Sequence, residues 1–268
     1  MTSLTMNDSH TIPALGYGTW RISDKDSPPL VLEALAAGYR HIDTAALYDN
    51  EAGVGRGIRD SGLHRSEVFV TTKLWNTDHA DPRSALSRSL DKLGLDHVDL
   101  YLIHWPVPAQ NRFVHAWDKL IELREEGLAT SIGVSNFLPE HVAALAPTGV
   151  VPAVNQIELH PSFANRASEA DNTERGILTE CYAPLGRTRD FAGTVADIAA
   201  RRGATPAQVV IAWHLAHGRV LIPKSATPAR IRENYAGGAT TLTEADVAAI
   251  DKLDAGNRIC GHPATFSG

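Results

Sequence analysis

Short apolar runs alternate with helical segments along almost the whole chain, and this alternation restricts the possible folds more than any other feature. Val98–Ile103, for example, has the apolar content of a buried strand, residues 113–126 have helical spacing, and Gly127 follows as a helix stop. Counted from Leu15, the pattern predicts eight strands, each followed by at least one helix. Strands that alternate with helices pair in parallel through right-handed crossovers. Eight such units in 268 residues predict an α/β fold of the (β/α)8 type, a TIM barrel.

The two ends of the chain add elements outside the eight repeats. Residues 3–13 are expected to form a short N-terminal β-hairpin that turns at residues 7–9 and caps one end of the fold. Helical patterns at residues 228–235 and 244–253 follow the last strand and predict extra C-terminal helices. No linker-like stretch divides the chain, so a single domain over residues 1–268 is expected.

A doubly wound open sheet is the alternative fold, but its glycine signature is missing. That fold usually carries Gly-x-Gly-x-x-Gly after its first strand. The segment 16–18 (GYG) is followed by Arg21 where the third glycine would stand. The run 53–57 (GVGRG) has the wrong spacing and lies inside a helical pattern. Neither segment matches, which favours the barrel.

Composition and charge exclude several classes of partner. The net charge is −6 with no basic run, which argues against nucleic acid and anionic membranes. No apolar run approaches the roughly 18 residues of a membrane helix, and residues 1–10 lack the apolar region of a signal peptide. Cys181 and Cys260 are expected to be reduced thiols, which suits a cytoplasmic protein. No metal site is expected, because the chain has neither a His-Glu-x-x-His motif nor paired cysteines.

Four polar residues converge if the predicted strands lie side by side. Asp43, Lys73 and His104 each follow an apolar run, and Tyr48 lies in the loop after the first of these runs. A phenol has a pKa of about 10, and a neighbouring ammonium group lowers that pKa. A carboxylate keeps the lysine charged, and a histidine can orient a carbonyl or relay a proton. The group therefore predicts a proton donor for carbonyl reduction, whereas a structural ion pair would not need Tyr48 or His104.

Polar and aromatic residues occupy most of the other predicted strand tips. Active sites of such barrels lie at the C-terminal ends of the strands. Trp20, Trp75 and Trp105 follow polar residues there and are expected to line an apolar substrate pocket. The remaining polar tips are Ser135, Asn136, Gln156, Tyr182, Lys224 and Ser225.

Three segments, together with the four polar residues, resemble the aldo-keto reductase family. They are residues 134–137 (VSNF), 154–161 (VNQIELHP) and 222–228 (IPKSATP). The resemblance covers the chain from Gly16 to about Leu253 and points to the short microbial branch that includes 2,5-diketo-D-gluconate reductases. The brief loop after Leu185-Gly186 is the reason for choosing that branch.

The resemblance implies an NADPH-dependent reductase of aldehydes and ketones, such as dicarbonyls or keto sugars. Hydride would pass from C4 of the nicotinamide to the carbonyl carbon, and Tyr48 would donate the proton. Lys73 and Asp43 would set the pKa of Tyr48, and His104 would orient the carbonyl as part of the substrate site. The cofactor would bind in an extended pose without a Rossmann turn.

The resemblance also assigns the cofactor contacts. Tyr182 would stack on the nicotinamide, and Leu185-Gly186 would border the pyrophosphate. Lys224 and Arg230 are cations near a predicted helix start, where N–H groups also favour an anion. The implied contacts to the carboxamide are Ser135, Asn136 and Gln156, those to the 2′-phosphate are Lys224, Ser225, Thr227 and Arg230, and those to the adenine end are Glu233 and Asn234.

The chain departs from the family at Ala183, where the family usually has serine and one phosphate-side contact would be weaker. Residues 256–268 resemble the branch's short C-terminal loop, which in the family helps to set substrate choice. Two alternatives stay open: a cofactor-binding regulator without activity, and a barrel hydrolase or lyase, which would not need residues 224–234. A monomer acting on a small-molecule carbonyl is expected.

Overall fold

An eight-stranded parallel sheet, curled into a closed barrel, forms the centre of the protein. The computed structural model describes residues 2–267, so Met1 and Gly268 of the predicted domain 1–268 lie outside the described residues. Each barrel strand pairs with the next in the sequence, and bridges join Leu15 to Leu221 and Gly18 to Lys224 to close the ring. The predicted (β/α)8 barrel is confirmed. Its strands are β3 (Tyr17–Gly18), β4 (His41–Asp43), β5 (Phe69–Leu74), β6 (Val98–Ile103), β7 (Ala129–Ser135), β8 (Val154–Glu158), β9 (Leu178–Tyr182) and β10 (Val220–Leu221).

The predicted N-terminal hairpin is also present. Strands β1 (Ser3–Thr5) and β2 (Thr11–Pro13) pair in antiparallel register. Met6 and Ile12 are buried in a small apolar cluster with barrel residues Leu100, Leu102 and Val220. The hairpin therefore covers the barrel through apolar contacts, at the end opposite the strand tips.

The helices lie where the sequence predicts them, although their ends differ from the predicted ones by a few residues. Proline lies in the first turn of the helices that start at Ser27, Pro82, Pro139, Pro206 and Pro228, where its missing N–H costs nothing. Among the described residues, no helix is both long and apolar enough to cross a bilayer. The helices are α1 (Ser27–Ala37), α2 (Glu51–Asp60), α3 (Pro82–Leu93), α4 (Phe113–Glu125), α5 (Pro139–Ala143), α6 (Arg166–Glu174), α7 (Thr194–Arg202), α8 (Pro206–Ala216), α9 (Pro228–Ala236) and α10 (Glu244–Asp251).

Strand β5 extends further than the sequence pattern indicates. The apolar run predicts a strand over residues 68–72, but pairing continues from Lys73 to Leu102 and from Leu74 to Ile103. A charged residue can lie within this strand because its ammonium group is paired inside the barrel. Lys73 is therefore fixed by the sheet itself.

The glycine run 53–57 has a packing role in α2. A Cβ atom on Gly53 would collide with the backbone of Asp24, and one on Gly55 would collide with the carbonyl of Leu93 at the end of α3. A Cβ atom on Gly57 would press against Val31 of α1. These glycines let neighbouring segments approach the helix closely. Close packing therefore explains the glycine run, and no nucleotide-binding role is needed.

Replacing Gly55 with alanine is expected to destabilise the protein. Alanine favours helix by about 1 kcal/mol over glycine, but overpacking typically costs about 1–3 kcal/mol, and here the Cβ meets rigid backbone. We expect Gly55→Ala to lower the free energy of unfolding, measured by urea denaturation. The control is Arg59→Ala at an exposed position of the same helix, where the change should stay within about 0.5 kcal/mol. A Gly55→Ala protein as stable as wild type would contradict this packing role.

Candidate active site

A buried ion pair lies at the tips of β4 and β5. Nζ of Lys73 lies 2.7 Å from both carboxylate oxygens of Asp43 and donates to the carbonyl of Thr44 at 2.8 Å. Burial is the largest influence and lowers the pKa of Lys73, but the charge and hydrogen bond of Asp43, together with contributions from Tyr48 and Glu180, outweigh burial and hold that pKa above its usual value. Lys73 is therefore charged at neutral pH, as the sequence predicts.

Tyr48 lies beside this pair. It ends a short 3-10 turn, Ala46–Tyr48, directly after β4. The Nζ of Lys73 is 5.1 Å from the centroid of the Tyr48 ring, and the ring of His104 is 5.7 Å away. Burial raises the pKa of Tyr48 to about 12, and the Lys73 charge acts in the opposite direction. The expectation of a lowered pKa is therefore wrong for the net shift, because burial outweighs the lysine.

His104 follows β6 and lines the same space. Burial, with a smaller contribution from the Lys73 charge, holds the pKa of His104 well below its usual value, so the ring is neutral. Its Nδ1 is buried and has no hydrogen-bond partner in the part of the chain that the structure describes. A buried N–H without a partner is costly, so we assign the proton to Nε2. The ring packs edge-on against Trp75 at 5.2 Å.

A cavity of about 540 Å³ opens above these residues, at the C-terminal ends of the strands. Trp20, Trp75 and Trp105 all line it, where the sequence places the substrate pocket. Phe266 of the C-terminal tail also lines it and stacks on Trp105 with centroids 3.9 Å apart. Phe266 was not among the predicted site residues. Its only signal in the sequence is that residues 256–268 contain no other phenylalanine, tyrosine or tryptophan.

The three residues expected at the carboxamide form one hydrogen-bonded cluster at the cavity wall with Tyr182, which is expected to stack on the nicotinamide. Tyr182 donates its hydroxyl to Oδ1 of Asn136 at 2.8 Å. The amide of Asn136 donates to Oγ of Ser135 and to the carbonyl of His104, at 3.1 and 3.0 Å. Ser135 in turn donates to the carbonyl of Gln156 at 2.8 Å. The structure thus brings these predicted residues together.

The residues expected at the phosphate end are only partly in the cavity. Leu185 and Lys224 line it, whereas Gly186 lies next to the lining residues Leu185 and Arg187. Burial lowers the pKa of Lys224, and so does the charge of Arg21, which lines the same cavity. The predicted residues outside the lining, in the turn after Lys224 and on α9, are Ser225, Thr227, Arg230, Glu233 and Asn234.

The turn before α9 has features that suit an anion. Tyr17 of β3 donates its hydroxyl to the carbonyl of Ser225 at 2.7 Å and so fixes the turn. Thr227 is the N-cap residue of α9, yet its side chain makes no capping bond. Arg230 is exposed in the first turn of the helix. Open N–H groups and a cation at a helix start favour a bound anion.

Two arginines at the cavity rim were not predicted as site residues. Arg21 and Arg187 both line the cavity. Their guanidinium groups lie 4.3 and 5.8 Å from the Trp20 ring. Within residues 2–267 no group of histidine, cysteine, aspartate and glutamate side chains is arranged to hold a metal ion.

Comparisons with known proteins give one consistent family. A sequence model described as the Aldo/keto reductase family matches residues 14–188 and 163–255. The chain is 46% identical over 271 residues to methylglyoxal reductase DkgA of Escherichia coli K12, covering 100% of this chain and 98% of that protein.

Solved structures agree with the sequence comparison. An aldo/keto reductase from Brucella melitensis is 46% identical, with a TM-score of 0.92 over 94% of this chain and 98% of that chain. A point variant of Gox0644, solved in complex with NADPH, is 42% identical, with a TM-score of 0.95 over 99% of this chain and 98% of that chain.

A second buried cluster, centred on His160, holds the C-terminal tail at the cavity. The ring nitrogens of His160 lie 3.2 Å from Glu158 and 3.2 Å from Asp190. Glu158 also accepts the backbone N–H groups of Ile259 and Cys260, which line the cavity, at 2.6 and 2.9 Å. Burial lowers the pKa of His160, but its bonds to Asp190 and Glu158 outweigh burial and raise it. The cluster joins the tail to the loop after β9.

This geometry predicts a pH-dependent contribution of His160 to stability. A raised pKa in the folded state gives stability that is complete below the unfolded value of about 6.5 and is lost as pH rises through the folded pKa. Loss of charged hydrogen bonds typically costs about 1.5–3 kcal/mol. We expect His160→Gln to lower the free energy of unfolding by that amount near pH 5.5 and by less near pH 8.5, measured by urea denaturation.

The control for this prediction is His115→Gln, at an exposed position on α4. Its unfolding free energy should follow wild type at both pH values. An effect of His160→Gln that grows with pH would show that the ring is not charged in the folded protein.

Proposed function

Because the chain belongs to the aldo/keto reductase family, we propose that it reduces small aldehydes and ketones to alcohols with NADPH, with Tyr48 as the proton donor. One observation carries the proposal: Tyr48, Lys73, Asp43 and His104 meet beneath a single cavity lined with aromatic side chains. They come from three neighbouring strands and one loop. Stability alone does not require a phenol, an ammonium group and a neutral imidazole at one place.

The residues around the cavity fit a nicotinamide cofactor. The amides of Asn136 and Gln156 would hold the carboxamide, and the ring of Tyr182 would flank the nicotinamide. Lys224 and Arg230 would hold the 2′-phosphate with the open N–H groups of α9. Lys224 and Arg21 line the same cavity, and the Arg21 charge lowers the pKa of Lys224, so an anion bound there would relieve their repulsion.

The remaining cofactor contacts belong to the same proposal. Arg21 and Arg187 would supply positive charge at the pyrophosphate beside Leu185-Gly186, where Ala183 lacks the family's hydroxyl. Ser225 and Thr227 would add donors at the 2′-phosphate. Glu233 and Asn234, on the next turn of α9, would face the adenine end.

The side chains of the protein then account for proton transfer. NADPH, when bound, would supply a hydride to the carbonyl carbon, and negative charge would then develop on the carbonyl oxygen. Tyr48 keeps its proton at neutral pH because its pKa is about 12, and an alkoxide is a stronger base than a phenolate. The proton therefore moves from Tyr48 to the substrate oxygen, and Lys73 stabilises the phenolate that remains. Asp43 keeps Lys73 charged and in place.

His104 orients the substrate in this mechanism. A neutral imidazole with its proton on Nε2 donates one hydrogen bond to the carbonyl oxygen. It does not compete with Tyr48 as an acid, because its low pKa leaves it without a second proton. The indoles of Trp20, Trp75 and Trp105 would exclude water around the carbonyl.

Small dicarbonyls are the proposed substrates. Three indoles and the Phe266 ring line the cavity, and the Escherichia coli relative is named a methylglyoxal reductase. A panel of methylglyoxal, diketones, keto sugars and simple aldehydes, assayed with NADPH and NADH in parallel, tests the class. No oxidation of either cofactor with any carbonyl would favour a cofactor-binding protein without activity.

The proposal extends to a monomer in the cytoplasm. The four proposed catalytic residues all belong to this chain, so the proposed mechanism calls on no residue of a second subunit. Cys181 and Cys260 are both free thiols, which agrees with a reducing compartment.

Replacing Tyr48 with phenylalanine is expected to nearly abolish reduction. The substitution removes the transferable proton but keeps the ring, and general acid catalysis typically contributes at least about 100-fold. We expect kcat for methylglyoxal to fall by that factor or more, while fluorescence titration shows unchanged NADPH binding.

Tyr101→Phe is the matched control for this experiment. It removes a buried hydroxyl that has no partner among the described residues and does not line the cavity. It should keep kcat near the wild-type value. A Tyr48→Phe enzyme that retains more than about a tenth of wild-type kcat would exclude Tyr48 as the proton donor.

Arg230 is expected to distinguish NADPH from NADH. Charged hydrogen bonds contribute about 1.5–3 kcal/mol, so Arg230→Ala should weaken NADPH binding by roughly 10- to 150-fold. NADH lacks the 2′-phosphate and should bind nearly as before. Arg232→Ala is the control, because Arg232 lies on the same helix but pairs with Glu33. Equal losses for both cofactors would mean that Arg230 supports the fold and does not read the phosphate.

A further inference from the structure

Glu180 places a third carboxyl group inside the barrel, below the cavity. It lies on β9 and is fully buried. Its Oε2 accepts a hydrogen bond from Nε2 of Gln156 at 3.0 Å, and the same nitrogen donates to Oδ2 of Asp43 at 2.9 Å. Both amide hydrogens of Gln156 are thus directed into the barrel. Because Gln156 also lines the cavity, its amide oxygen is the atom left to face the ligand.

We propose that Glu180 is a positioning residue for the nicotinamide end of the cofactor, acting with Asp43 to fix the amide of Gln156. Its effect passes through Gln156, which would accept the N–H of the cofactor's carboxamide. The inference rests on the proposed function, since that function supplies the carboxamide. Without the Glu180 acceptor, the Gln156 amide could rotate and offer its nitrogen to the ligand.

The charges around Glu180 show which carboxyl group is ionised. Lys73 is the one cation in the group, and its ammonium lies 2.7 Å from both oxygens of Asp43. Nε2 of His41 lies 3.7 Å from Glu180, but burial lowers the pKa of His41 to about 3, so this ring is neutral. Tyr48 and Cys181, the other titratable neighbours, are also uncharged, because burial raises the pKa of each. A second carboxylate would have no cation, so Asp43 is ionised and Glu180 is protonated at neutral pH.

The protonation of Glu180 should respond to the charge of the cofactor. Burial and the Asp43 charge raise the pKa of Glu180 to about 8. Above that pH, Glu180 adds a negative charge behind Gln156. The nicotinamide is positive in NADP⁺ and neutral in NADPH, so ionised Glu180 favours NADP⁺. By reciprocity, NADP⁺ binding lowers this pKa and releases a proton near pH 8.

Two variants of Glu180 separate positioning from charge. Glu180→Gln keeps an acceptor oxygen for Gln156 but cannot ionise. Glu180→Leu has a similar size and removes the acceptor. Binding of NADPH and NADP⁺ is measured by fluorescence titration at about pH 6.5 and about pH 9.5, on either side of the Glu180 pKa. Contacts common to both cofactors, including those of Lys224 to the phosphate, contribute equally to the two dissociation constants. Their contribution therefore cancels in the ratio.

The expected results differ between the variants. At the lower pH, Glu180→Leu should weaken binding of both cofactors about 3- to 10-fold through loss of one hydrogen bond, and Glu180→Gln should restore most of that loss. For wild type, the preference for NADP⁺ should rise at least about fivefold from the lower to the higher pH. For Glu180→Gln it should not change.

Results that differ from these expectations contradict either the inference about Glu180 or the proposed function. Glu180→Gln with the wild-type pH response overturns the assignment of that response to Glu180, and folded Glu180→Leu with wild-type affinities overturns the positioning role. If Glu180→Leu does not fold, the pH response of Glu180→Gln decides alone whether Glu180 acts on the nicotinamide end. Wild-type protein that binds neither cofactor overturns the proposed function and this inference with it. If wild type binds both cofactors, and both variants bind them as wild type does at both pH values, the inference is overturned and the proposed function stands.

Discussion

The buried pair of Lys73 and Asp43 is the interaction on which the rest of the site depends. Both side chains are shielded from water, and burying two charges costs several kcal/mol per ion before their attraction offsets it. The pair meets the geometric condition for that offset, because Nζ makes three short contacts to Asp43 and the Thr44 carbonyl. Apolar residues in a barrel core could give equal stability. The pair is therefore better explained by the field that it imposes on Tyr48 and Gln156.

Most of the fold was predictable because each repeat carries local signals. Helix α3 carries such signals at both ends: Asp81 caps its start, Pro82 occupies its first turn and Gly94 takes a left-handed conformation at its end. The convergence of Asp43, Lys73 and His104 followed from chain direction, because all strand tips of a parallel barrel lie on one face. The family resemblance then assigned cofactor residues in the turn before α9, which no periodicity indicates.

The features that could not be predicted from the sequence depend on how deeply a side chain is buried and on contacts between residues far apart in the chain. Burial and the Lys73 charge shift the pKa of Tyr48 in opposite directions, and only the structure shows that burial is larger. Phe266 reaches Trp105 across the whole chain, with no local pattern to predict it. Glu180 did leave a signal, since a lone carboxyl in a buried strand needs a partner. That the partner is Gln156, on the neighbouring strand β8, could be learned only from the register in which the two strands pair.

Backbone strain occurs at the rim of the cavity, among the residues that line it. Arg21, Asn136, Ala183 and Arg187 line the cavity and have positive φ angles of 57°, 63°, 48° and 51°. Such conformations cost of order 1–3 kcal/mol each outside glycine and persist only where surrounding contacts impose them. Asn136 meets that condition through three hydrogen bonds. The regular barrel supplies the rigidity against which these four rim residues are held in strained conformations.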